Sequence, residues 1–187
     1  FVVGDGGVIL KTTDGGNSWT KLNSGTTKNL KAINFIDNNR GWVVGEGGLI
    51  IGTVNSGIDW ALKNSETAAN LNKVKFFVFE SGWTIGDNGV IRTTSNGGET
   101  WFGKASGTSE NINDFKLYFN LFSLGWIVGN NGMIRKTIDE MSNWIPQWSG
   151  TSENLNTIFM VNTDLGSIAG SNGIVLRTTN GGSEWIH

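Results

Sequence analysis

GDGGVILKTTDGGNSW, running from Gly4 to Trp19, is nearly restated four times along the chain. The copies are GEGGLIIGTVNSGIDW, GDNGVIRTTSNGGETW, GNNGMIRKTIDEMSNW and GSNGIVLRTTNGGSEW, beginning at Gly45, Gly86, Gly129 and Gly170. The period is 41 residues, with one interval of 43. A repeat of that length points to an array of like supersecondary units, none able to bury its apolar faces alone.

One unit shows what is repeated. NLKAINFID alternates apolar and polar residues as a half-buried strand does. NNRG turns the chain, GWVVG is a second strand, EGG a tight hairpin and LIIGT a third strand. VNSGI turns again and DWALKN forms a fourth strand. Four strands in about forty residues, with no helical period, describe one blade of a β-propeller. The fold class is therefore all-β, a β-propeller of four-stranded antiparallel blades. Five blades are expected in one domain over residues 1–187, with units near 1–28, 29–69, 70–110, 111–153 and 154–187. The first blade lacks its inner strand, because residues 1–22 supply only strands two to four. A five-bladed ring with an imperfect seam, or a piece of a longer array, would expose a blade face and favour self-association. The chain starts at Phe1, in mid-strand and without an initiator Met, which reads as a fragment or a processed product.

Gly7, Gly48, Gly89, Gly132 and Gly173 recur at one hairpin position, where a Cβ is expected to be excluded. Trp19, Trp60, Trp101, Trp144 and Trp185 close the units and are expected to fill gaps between neighbouring blades, as are Trp42, Trp83 and Trp126. Trp148 stands outside the pattern and is expected at the surface. The polar linkers end in Asn29, Asn70, Asn111 and Asn154, each expected to close a turn through its side chain.

Composition agrees. Gly accounts for 28 of 187 residues and Pro for one, the mark of many tight turns rather than of a disordered linker. Net charge is −2, which implies neither nucleic acid nor an anionic membrane as partner. No stretch approaches the ~18 apolar residues of a membrane span. There is no Cys, hence no disulfide and no thiolate site.

TTDGGNSW, Thr12 to Trp19, resembles the Asp-box, a hairpin-turn motif found on sialidases and other propellers. TVNSGIDW, TSNGGETW, TIDEMSNW and TTNGGSEW keep its frame, with Asn55, Asn96, Asp139 and Asn180 at the position of Asp14. The resemblance implies a structural role, with the short Asp or Asn side chain tying the turn to its own backbone. The wider pattern NLxxIxF then GWxVGxxGxIxxTxxGGxxW is similar to the photosystem II stability/assembly factor-like propeller repeats, over essentially the whole chain. That resemblance implies a non-enzymatic protein-binding scaffold. Placement follows from it: extracellular, cell-surface or periplasmic in a bacterium, and the thylakoid lumen in a phototroph.

Chemistry finds little purchase. Sialidase action needs three arginines around a carboxylate, a Tyr–Glu pair and an acid Asp. The chain has Arg40, Arg92, Arg135 and Arg177, of which three sit where repetition alone explains them, and Tyr118 as its one tyrosine. The single His is the last residue, so imidazole-based nucleophile systems have no base. No catalytic residue, metal ligand or cofactor is assigned. The irregular positions are Arg92 and Arg135, which replace Leu10, Ile51 and Leu176 of the other copies. With Trp148 they are the candidate partner-binding residues, able to fork onto carboxylates of a protein partner. A glycan-binding, lectin-like propeller is the alternative, and a sialidase-type glycosidase the least favoured reading.

Overall fold

The computed structural model describes residues 1–118 and 124–187. Five antiparallel sheets follow one another along the chain, each with its strands in sequence order. The first contains Val2–Val3, Ile9–Lys11 and Thr20–Leu22. The second contains Leu30–Phe35, Gly41–Gly45, Ile50–Thr53 and Ala61–Lys63. The third contains Leu71–Phe76, Gly82–Gly86, Ile91–Thr94 and Phe102–Lys104. The fourth contains Ile112–Tyr118, Leu124–Gly129, Ile134–Thr137 and Ile145–Gln147, and Phe119, read as the end of its first strand, lies outside the described residues. The fifth contains Leu155–Met160, Gly166–Gly170 and Val175–Thr178. The first sheet thus lacks an inner strand, as read from the sequence. The fourth strand expected in the last unit is a single bridge between Arg177 and Ile186, because one residue pair does not make a ladder.

The chain forms two compact units: Phe1–Thr84 with Ile91–Gly103, and Ile85–Val90 with Lys104–His187. In the first, Ile9, Leu30, Val43, Leu49 and Ile51 make a buried cluster joined by Phe1, Ile33 and Trp60. Aromatic rings bridge successive sheets there: Phe1 stacks on Phe35 at 4.2 Å and Trp42 on Phe76 at 3.5 Å. Trp60 and Trp101 meet Phe35 and Phe76 edge-on at 6.1 and 5.8 Å. In the second unit Trp126, Leu155, Ile168, Leu176 and Trp185 are core. Trp19 differs from the expected packing: it is 44% exposed and lies along its own turn, Nε1–H donating to Gly16 O at 3.1 Å.

Inner strands carry a bulge that periodicity alone misses. Leu30 pairs with Gly45 and Ala32 with Val44, so Lys31 is the extra residue, and the same shift follows Ile112 and Leu155. This lets Leu30, Ile112 and Leu155 all be buried beside differently phased neighbours.

The hairpin between strands two and three places two consecutive residues in the left-handed region, such as Gly47 at φ 59° and Gly48 at φ 72°. The first tolerates Asn, as at Asn88, Asn131 and Asn172. The second is Gly in all five units: a Cβ on Gly48 would stand 1.9 Å from Thr67 O of the following linker, whereas at Gly173 nothing lies within 4 Å and the positive φ alone favours glycine. The equivalent distance is 2.0 Å from Gly7 to Thr26 O and from Gly132 to Thr151 O. The linker asparagines act here too, closing the hairpin turn of the preceding unit through their side chains. Gly6, Gly47, Asn88 and Asn131 donate their N–H groups to the Oδ1 of Asn29, Asn70, Asn111 and Asn154 at 2.8 to 3.2 Å.

In the second unit Asp114 is buried. It accepts Phe115 N–H, Thr157 Oγ1–H and Ile158 N–H at 2.8, 2.8 and 3.1 Å. Gly7→Ala should cost at least about 2 kcal/mol in urea unfolding, from a clash with a backbone carbonyl added to φ strain. Gly6→Ala, at φ 64° with nothing within 4 Å of its Cβ, should cost about 1 kcal/mol.

Candidate functional site: turns, arginines and an aromatic groove

Each Asp-box is a hydrogen-bonded turn built the same way. Thr12 Oγ1 donates to Asp14 Oδ1 at 2.8 Å and accepts Gly16 N–H at 2.8 Å. Asp14 accepts Ser18 N–H at 2.9 Å and Ser18 Oγ–H at 2.6 Å. Asn55, Asn96 and Asn180 accept Asp59, Thr100 and Glu184 N–H at 3.0 Å, and Asp139 accepts Asn143 N–H at 2.9 Å. These side chains are consumed by the turn. In the fourth box Glu140 and Met141 stand at φ 58° and 59° where the other boxes have at least one Gly, and burial of Met141 accompanies that strain.

The anionic boxes differ from the neutral ones in acid. Three donors from Ser18 and Thr12 hold the Asp14 carboxyl down to about 2 from the ordinary 3.8. Asp139 is lowered by the Asn143 side chain and N–H. A depressed carboxyl stabilises the fold above its unfolded value, and that contribution disappears as pH falls through the folded value.

The arginines are engaged locally. Arg92 Nη2–H donates to Glu66 O, and the guanidinium lies in a groove with Asn64, Trp101 and Phe102. Its Nε is buried with no hydrogen-bond partner among the described residues. Arg135 Nη1–H donates to Trp144 O at 2.9 Å. Arg40 forms an ion pair with Asp37 at 2.6 Å and covers the Phe79 ring at 4.3 Å. Arg92 belongs to the first unit and Arg135 to the second. Trp148 is 85% exposed, and Tyr118 donates its hydroxyl to Met160 O at 2.9 Å. Among the described residues no three His, Cys, Asp or Glu side chains gather as a metal site. Among the described residues no helix is long and apolar enough to cross a membrane.

A groove of about 380 Å³ in the first unit was not foreseen. Trp42, Trp60 and Phe79 supply its aromatic walls, and Asp59, Lys63 and Glu99 its charges. The signal available in the sequence was Gly52, which breaks the run of longer side chains at that position of the third strand: Lys11, Thr93, Lys136 and Arg177.

Repeated antiparallel blades closed by Asp-box turns define a protein of the β-propeller class. The family model of photosynthesis system II assembly factor YCF48 matches residues 1–64, 22–108 and 59–146, and the chain belongs to that family. A structure of YCF48 bound to D1 peptide is similar at TM-score 0.67 and 17% identity, over 98% of this chain and 74% of that one. YCF48 from Cyanidioschyzon merolae is similar at TM-score 0.72 and 20% identity, over 95% of this chain and 62% of that one. An ancestral GH74 enzyme is similar at TM-score 0.65 and 13% identity, over 83% of this chain and 23% of that one. No curated protein matches the chain.

Two experiments follow. By NMR titration the Asp14 carboxyl should show a midpoint near 2, and Ser18→Ala should move it upward. Trp101→Ala, removing a side chain only 2% exposed, should cost about 3–5 kcal/mol in urea, whereas Trp148→Ala should change stability by less than about 0.5 kcal/mol.

Proposed function

We propose that the chain is a non-enzymatic scaffold that binds a protein partner through an extended segment. The observation that carries this is the outer part of the second sheet. The aromatic groove opens there with Val54, 73% exposed, among its lining residues, and Ile58 and Leu62, 72% and 74% exposed, stand on the adjoining turn and outer strand. Isolated exposed apolar residues are ordinary, but a concave aromatic groove with an exposed apolar residue on its rim is what a docking peptide uses. The tied turns keep that surface in one shape before binding, which lowers the ordering cost of association. Membership of the assembly-factor family, and the peptide-bound state of one YCF48 structure, support the reading. Arg92, Arg135 and Trp148 are proposed as additional contacts. The proposal includes work outside the cytoplasm, in the periplasm, at the cell surface or, in a phototroph, in the thylakoid lumen.

The test is fluorescence anisotropy with a panel of labelled, unstructured peptides, run beside a glycan array. Saturable, sequence-selective peptide binding is expected, weakened about tenfold by Val54→Glu and unaffected in fold by circular dichroism. Absence of saturable binding to any peptide, with glycans retained instead, would reject the scaffold in favour of the lectin-like alternative.

A further inference from the structure

The groove of the second sheet exists because several positions depart from the repeat together. The first, fourth and fifth sheets set Lys11 opposite Thr20, Lys136 opposite Ile145 and Arg177 opposite Ile186. The second sets Gly52 opposite Ala61. Val54 stands where three other units have Thr13, Ser95 and Thr179. Phe79, in the loop between the first two strands of the third sheet, stands where the second and fifth sheets have Asn38 and Thr163. One wall has lost bulk, and both walls have gained apolar surface.

In the first and fourth sheets the same place holds an internal ammonium. Lys11 Nζ donates to Ser56 O at 3.1 Å and Lys136 Nζ to Gly181 O at 2.7 Å. Each receiving turn is bonded to a polar loop, Ser56 N–H to Asn39 O and Gly181 N–H to Asp164 O. Gly97 is the equivalent residue facing the second sheet, its N–H bonded to Glu80 O, and the Phe79 ring lies over it, 3.2 Å from a Cβ built there. Trp42 is buried and stacked on Phe76, and Lys63 lies along Gly52. The accessible lining is therefore Val54, 73% exposed, Phe79, 41% exposed, the exposed Ala61 and the half-buried Trp60.

Charges of both signs flank this lining. Lys63 is paired with Glu99, and Arg40, lying on the Phe79 ring at 4.3 Å, with Asp37. Asp59, exposed in the lining, accepts Asn55 Nδ2–H at 3.0 Å. A cationic guest would meet Lys63 and Arg40, and an anionic one Asp59 and Glu99. Either would also lose water against apolar walls. A neutral apolar side chain meets neither cost and gains from burial.

We infer that the cleft is an anchor pocket for one uncharged apolar side chain, Phe or Leu, of the partner segment. This rests on the scaffold reading and names the partner chemistry of the same site. The guest lies over Ala61, against Val54 and Phe79, in the place that Ile145 and Ile186 take on the fourth and fifth sheets. A cleft of about 380 Å³ is at the small end of ligand sites and suits a side chain rather than a folded surface.

The test uses acetyl-Gly-Phe-Gly-amide and its Leu, Lys and Glu counterparts as probes, with the Val54 and Ala61 methyl signals followed by NMR. The Phe and Leu peptides should shift both signals saturably, and the Lys and Glu peptides should bind at least about tenfold more weakly. Ala61→Ile, which gives the second sheet the residue of the fourth and fifth, should weaken the Phe peptide at least about tenfold, read at Val54. Phe79→Asn, the residue of the neighbouring loop, should weaken it about fivefold. Both positions are exposed, so the circular dichroism of either variant should match the wild type. No saturable shift in the wild-type protein would overturn the pocket. So would equal binding by Ala61→Ile with its fold intact, or a Lys or Glu peptide binding as tightly as the Phe peptide. The labelled-peptide panel separates the two readings. Panel peptides that bind Ala61→Ile as they bind the wild type remove the pocket and leave the scaffold. A Phe-peptide response without any panel binding removes the scaffold and leaves a pocket for small apolar ligands.

Discussion

The constraint on which the repeat depends is a backbone turn that cannot satisfy itself. Between strands two and three the chain takes two left-handed residues in succession and exposes an N–H with no partner in its own sheet. The Oδ1 of a linker asparagine 23 positions later receives that N–H, and the linker carbonyl that follows presses against the glycine. Backbone bonds reinforce the clasp, with Glu46 N–H on Asn29 O and Asn130 N–H on Asn111 O. Each unit is thus finished by the chain that leads into the next, and the spacing of the repeat follows from the reach of that linker. A side chain at Gly48 or a shorter linker would disturb two units at once.

The Asp-boxes are the second set of fasteners, and their chemistry is inward. Asp14 and its equivalents accept from residues within the same eight-residue turn, so little of their hydrogen-bonding capacity faces solvent. This separates a motif shared by many propellers from the work any one of them does. Whether the position is Asp or Asn changes the acid response of the turn and leaves its geometry in place.

Function then has to come from where the units differ. The clasp is nearly the same in the first four units, while the strand-three position varies from Lys11 to Gly52, Thr93, Lys136 and Arg177. A repeat protein can keep its interior while a single position on a blade is opened or filled. At Gly52 the second unit drops the longer side chain that other units keep, and Lys63 of the outer strand lies beside the glycine instead.

The number of units, their strand order, the hairpin glycine and the Asp-box frame were legible in the sequence, because each depends on local backbone geometry that every copy must repeat. The inner-strand bulge was not, since Lys31, Asn113 and Asn156 look like ordinary members of an alternating run until cross-strand pairing shows them as extra. Trp19 reads like Trp101, yet one is exposed and the other buried, because exposure depends on which rings pack against it, as Phe76 does edge-on against Trp101. The local bonds of Arg92 and Arg135, to Glu66 and Trp144 carbonyls, are likewise invisible in a pattern of residue types. Sequence alone determined the blade and its period, which are local and repeated. Tertiary structure alone decided what lies between blades, because a groove is the space left when side chains distant in the chain are packed side by side.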